Sequence, residues 1–146
     1  MSDAQQTILG VDDDLADCAL LRAAFKDAQL PYALKLLQSG QALLDELRAQ
    51  QSQGSLPRLI LLDLNMPAMD GRQVLQHLQA EPALAGVPVV MLSTSEAEVD
   101  IEACLALGAL SYLVKPFDYD NFVRLLRTLG QALQEGSALP RVLSES

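Results

Sequence analysis

Four apolar runs in this chain each end on a residue that can take part in group transfer. Residues 7–11 lead into Asp12-Asp13-Asp14, residues 59–62 into Asp63, residues 89–92 into Ser93, and residues 112–114 into Lys115. Carboxylates gathered in one place repel, so Asp12, Asp13 and Asp63 together need protons or a cation to offset their charge. Oxygen ligands in an incomplete protein shell suit Mg²⁺, which keeps several waters and is often completed by a substrate phosphate. Each residue also has an ordinary explanation. An Asp-Asp-Asp run can cap a helix, a role that suits Asp14. Lys115 could be a solvated lysine, and Ser93 another helix cap. Capping explains Asp14 but not the match with Asp63, far along the chain. As a set, the residues offer a carboxylate nucleophile, a divalent-cation site, a hydroxyl donor and a fixed positive charge. Phosphoryl transfer to an aspartate needs that combination, because its catalysis is mostly positioning and charge neutralisation.

The elements that must position these residues alternate strand and helix five times. Strands are expected over 7–11, 32–37, 59–62, 89–92 and 112–114. The run Leu59-Ile60-Leu61-Leu62 is apolar at every position, as in a strand covered on both faces of a parallel sheet. Leu15, Cys18, Leu21, Phe25 and Ala28 recur at helical spacing, and Pro31 ends that helix. Later helices carry Leu43, Leu44 and Leu47; residues 71–80; residues 99–107, closed by Gly108; and Phe122, Leu125, Leu126, Leu129 and Leu133. Strict alternation implies an α/β fold, a doubly wound parallel sheet with helices on both faces. In such sheets ligands gather at the carboxyl ends of the strands, beside the topological switch point. All the polar candidates fall there.

Composition narrows the partners. The net charge of −9 opposes nucleic-acid binding, which draws its affinity from neutralising phosphates. No apolar stretch approaches the roughly 20 residues that span a bilayer, and the N-terminus lacks a signal-peptide pattern. A cytoplasmic protein is expected, with no membrane and no nucleic-acid partner. Cys18 and Cys104 lie within apolar helical patterns and are read as reduced filler; His77, the one histidine, falls on a wet helix face. At 146 residues the chain suits one domain without a separate output module.

Three segments carry a specific resemblance: Ile8-Leu9-Gly10-Val11-Asp12-Asp13-Asp14, Leu61-Leu62-Asp63-Leu64-Asn65-Met66-Pro67-Ala68-Met69-Asp70-Gly71, and Val114-Lys115-Pro116-Phe117. They resemble the hallmarks of response-regulator receiver domains, over roughly residues 7–134. Residues 1–6 and 135–146 are left as an N-terminal segment and a C-terminal tail. The resemblance implies a flavodoxin-like (βα)5 fold with a five-stranded sheet in the order 2-1-3-4-5. It implies Asp63 as phosphoacceptor for a histidine kinase, with Mg²⁺ held by the carboxylates of Asp13 and Asp63, the backbone carbonyl of Asn65 and, through water, Asp12. Lys115 would bridge to the phosphoryl group, across a peptide bond to Pro116 that is usually cis in that family. Its switch pair falls on Ser93 and Tyr112: phosphorylation draws the hydroxyl inward, and the ring fills the space left behind. Ser93 stands where Thr is commoner, and Thr94 where many members carry Ala or Gly.

Residues 92–101 and 111–122 are similar to stand-alone regulators paired with phytochrome-type histidine kinases. Such a regulator is not an enzyme on other substrates, and would signal by protein contact. A homodimer through the fourth helix, fifth strand and fifth helix is expected, with the tail folded back on its own domain or reaching across to a second copy. Haloacid-dehalogenase-type phosphatases also form an aspartyl-phosphate, but they need a general-acid aspartate where this chain has Asn65. A flavin carrier of the same topology needs a phosphate loop that Asp12-Asp13-Asp14 would repel. A receiver too degenerate to be phosphorylated would lack acceptor-site residue types that are all present here.

Overall fold

A computed structural model describes residues 6–66 and 69–145. Residues 1–5, Ser146, and Pro67-Ala68 of the segment 61–71 lie outside them. Along the chain run β1 (Thr7–Val11), α1 (Leu15–Asp27), β2 (Ala33–Leu37), α2 (Gly40–Ser52), β3 (Leu59–Asp63), α3 (Gly71–Ala80), β4 (Val89–Ser93), α4 (Glu98–Ala106), β5 (Ser111–Val114), α5 (Tyr119–Glu135) and β6 (Val142–Leu143). The sheet is parallel throughout, in the order β2-β1-β3-β4-β5-β6.

The continuous apolar runs behave as their composition requires. Along β3, Ile60 and Leu62 enter the core under α2, α3 and α4, while Leu59 and Leu61 enter the core under α1 and α5. Period-two alternation thus feeds two hydrophobic layers from one strand, and no position can be polar until the strand ends. Two glycines set close approaches. A Cβ on Gly71 would sit 2.7 Å from the Asp63 carbonyl oxygen and 2.9 Å from Leu64 Cα, so only glycine lets α3 start against the end of β3. A Cβ on Gly130 would sit 1.6 Å from Leu30 Cδ2, where the α1–β2 loop packs on α5.

The sheet departs from expectation at its far edge, with six strands instead of five. The tail turns back after Gly136, which ends α5 in the left-handed conformation (φ 69°), and lays Val142 and Leu143 beside Tyr112 and Leu113. Tyr112 N–H donates to the Arg141 carbonyl (3.1 Å), and Ser111 Oγ donates to the Pro140 carbonyl (2.7 Å). Leu143 is buried among the α5 side chains, and Arg141 pairs with Glu98 (2.6 Å) and Glu102 of α4. The physical reason is the open edge of β5, whose unpaired backbone groups an apolar Val-Leu pair can satisfy. The tail folds onto its own domain.

Candidate functional site

Parallel strands deliver their last residues to one edge, and backbone bonds fix the residues that follow. Asp12 N–H donates to the Leu37 carbonyl (3.0 Å), Leu64 N–H to Leu92 (3.0 Å), and Lys115 N–H to Ser93 (2.8 Å). Asp12 and Asp13 follow β1, Asp63 closes β3, Ser93 closes β4, and Lys115 follows β5. The order β2-β1-β3 puts the switch point between β1 and β3, the two strands that carry the acids.

A carboxylate oxygen from each of Asp12, Asp13 and Asp63 lies within 4.8 Å of the other two. Asp12 and Asp63 are buried and Asp13 is exposed. Lys115 Nζ stands 3.3 Å from Asp12 Oδ2 and 3.9 Å from Asp63 Oδ1. Asp12 is aimed by its surroundings: Oδ1 accepts from Asp14 N–H (3.0 Å), and its carbonyl accepts from the Cys18 thiol (3.3 Å). Asp14 caps α1, accepting from the N–H groups of Ala16 (2.8 Å) and Asp17 (3.1 Å), as its place in the sequence suggests. Asp63 Oδ1 accepts a long bond from Asn65 N–H (3.4 Å), and Asn65 itself is exposed.

Burial dominates the electrostatics and pushes the Asp63 carboxyl up to about 6; Asp12 and Asp13 add to the rise, while Lys115 and the Asn65 N–H oppose it. One lysine beside three acids leaves excess negative charge. Three hard oxygen donors with an exposed side fit a divalent cation that keeps part of its water.

Ser93 is buried, and its Oγ accepts from Ser95 N–H (3.0 Å). Tyr112 is fully buried, and its hydroxyl donates to the Ser95 carbonyl (3.0 Å). Thr94 is exposed. The Lys115–Pro116 bond is trans, against the cis expectation, since no cis peptide occurs among the described residues. Trans is the lower-energy isomer even before proline, by about 0.5–1 kcal/mol, and from it Lys115 still spans both acids. Both cysteines are buried free thiols; burial pushes Cys104 up to about 11, and His77 is exposed.

Some neighbours escape sequence reasoning. Asp17, one turn beyond Asp13, lines a cavity of about 20 Å³ with Asp12, Leu92, Lys115 and Phe122, and burial raises its carboxyl. Arg72, Ser95 and Asp100 form a hydrogen-bonded group behind Ser93. Nothing local in the sequence marks these as different from ordinary surface polar residues.

Known proteins resemble this chain in sequence and fold. Residues 8–127 match the response regulator receiver domain family. Response regulator Rcp1 of Synechocystis sp. is 34% identical over 95% of this chain and 96% of its own length. The structure of the phosphorylated cyanobacterial phytochrome response regulator RcpA superposes with a TM-score of 0.80 at 32% identity, over 94% of this chain and 99% of that one. The Mn²⁺-bound form of Rcp1 superposes with a TM-score of 0.75 at 33% identity, over 92% and 99%. In the described residues no helix is long and apolar enough to cross a membrane. With its acids at the switch point and its match to the family across nearly the whole sheet, the chain belongs to the response regulator receiver domains.

Proposed function

We propose that this chain is a single-domain response regulator that accepts a phosphoryl group from a histidine kinase onto Asp63, with Mg²⁺ at the acidic edge. The observation that carries the reading is the convergence of Asp12, Asp13 and Asp63 within 4.8 Å, with Lys115 against two of them. Asp63 attacks the phosphorus of a phosphohistidine; its P–O bond forms as the P–N bond breaks, and the imidazole leaves with the electron pair and takes up a proton. Lys115 is a point charge that turns from the carboxylates to a phosphoryl oxygen. Ser93 Oγ, already accepting from Ser95 N–H, keeps its own proton for a second phosphoryl oxygen. A divalent cation would be held by the carboxylates of Asp13 and Asp63 and the Asn65 carbonyl, with Asp12 acting through water, and would supply the remaining charge neutralisation. That Rcp1 has an Mn²⁺-bound form supports binding of a divalent ion by this chain.

The chain acts on no other substrate; its chemistry is its own phosphorylation and the hydrolysis that resets it. Likeness to RcpA favours a phytochrome-type kinase as donor, met in the cytoplasm. Exposed Leu15, Leu20 and Phe117 follow the acceptor-edge segments and offer apolar surface to a protein partner. Output is protein contact, through a homodimer built on α4, β5 and α5, the elements beside the buried Ser93–Tyr112 pair.

Incubation with phosphoramidate and Mg²⁺, read by intact mass, tests the acceptor. One phosphoryl group on the wild type and none on Asp63→Asn is the expected result. Labelling of Asp63→Asn under the same conditions would overturn it.

A further inference from the structure

One serine ties the acceptor edge to two helices. Every polar atom of Ser95 is engaged. Its N–H donates to Ser93 Oγ (3.0 Å) and its carbonyl accepts from Tyr112 Oη (3.0 Å). Its hydroxyl donates to Asp100 Oδ2 (2.6 Å) and accepts from Ala97 N–H (3.2 Å). The other oxygen of Asp100 pairs with Arg72 Nη1 at 3.4 Å. Asp100 lies in the first turn of α4 and Arg72 in the first turn of α3, so both helix starts close on the loop that follows Ser93.

An acid in the first turn of a helix ordinarily complements the helix dipole, and a partly exposed ion pair contributes little. Two features exceed that account. The capping position of α4 is Ala97, which has no side-chain cap to give, so the Ser95 hydroxyl reaches an N–H there instead. The bonds also converge on the residue that touches both Ser93 and Tyr112.

We infer that Asp100, backed by Arg72, is a positioning residue for phosphoryl transfer, acting through Ser95 on the Ser93 hydroxyl. Held by Asp100, Ser95 keeps its N–H on Ser93 Oγ, which leaves the Ser93 proton free to be donated to a phosphoryl oxygen. Without Asp100 the loop loses its anchor, and the hydroxyl must be oriented during the reaction itself. The inference rests on Asp63 being the acceptor.

Phosphoramidate labelling of the full chain at saturating Mg²⁺, followed by intact mass, reads the rate. Asp100→Ala and Ser95→Ala should each lower the rate at saturating donor by about tenfold. Arg72→Gln should lower it less, and Ser95→Thr, which keeps the hydroxyl, should restore it. The Mg²⁺ midpoint should not move, because no ligand is touched. The deciding arm repeats Asp100→Ala in a Ser93→Ala background, where it should have no further effect. Should Asp100→Ala fail to fold, Ser95→Ala and Arg72→Gln carry the same comparison. A wild-type rate in these variants, or the same loss with and without the Ser93 hydroxyl, overturns the positioning role. A wild type that takes up no phosphoryl group overturns the acceptor reading, and this inference with it.

Discussion

On the proposed reading, Asp63 must be buried enough to exclude water yet ionised enough to attack, and these demands conflict. In the metal-free protein its carboxyl is pushed up to about 6 from an ordinary value near 3.8, so ionisation opposes folding. A raised carboxyl contributes its stability fully below the ordinary value and loses it as pH rises through about 6. Asp63→Asn, which stays neutral, should therefore be more stable than wild type at pH 7.5 in EDTA, by on the order of 2–3 kcal/mol. The gap should close below about pH 4, and equal melting at both pH values would contradict it. Mg²⁺ should reverse the penalty, stabilising the fold by about 2.7 kcal/mol at a free concentration near 100 times its Kd. Asp13→Ala should lose most of that gain; matching melting curves for the two proteins across a Mg²⁺ titration would remove Asp13 from the ligand set. Asp12, Asp63, Ser93 and Lys115 are legible in the sequence because each interrupts an apolar run, where a polar side chain has no packing reason to stand. Arg72, Asp100 and Asp17 lie in helix first turns, where charged residues are unremarkable. Only tertiary contact sets them apart.

Elements obey the same logic with fewer exceptions. The strands β1, β3, β4 and β5 follow from largely apolar runs, the edge strand β2 from an apolar stretch broken by Lys35, and the helices from spacings of three and four broken by Gly and Pro. Two residues such as Val142 and Leu143 carry no period at all, so β6 emerges only from its partner, β5, some 30 positions earlier in the chain. The trans bond before Pro116 is equally unreadable, since sequence fixes neither isomer. Gly130 tests how closely helix and loop are fitted. Gly130→Ala adds a methyl 1.6 Å from Leu30 Cδ2, the end of a flexible, half-buried side chain, so Leu30 must turn aside; the better helix propensity of alanine offsets that cost, and the net change should stay within about 1 kcal/mol. Gly86→Ala, with nothing within 4 Å of the new carbon, is the control and should change stability by less than about 0.5 kcal/mol. Denaturant midpoints of the two variants would separate packing from propensity.

For the whole molecule, the tail is part of the sheet. A chain ending at Gln134 exposes the β5 edge and removes the cover that Leu139 and Leu143 give the core beside α5. It should lose about 2–4 kcal/mol in denaturant melts and become more prone to aggregate. Light scattering at tens of micromolar should show a dimer for the full chain; a monomer with and without phosphorylation would exclude the α4–β5–α5 pairing. The position of β6 also bears on how the protein is made. The five longer strands all precede β6 in the chain, so a nascent molecule can assemble its core while β5 still presents a bare edge. Until β6 pairs with it, that bare edge is open to a strand from a second chain. Pairing of Val142 and Leu143 closes that edge from within, so the segment guards the folding chain against edge-to-edge association as well as covering the finished sheet.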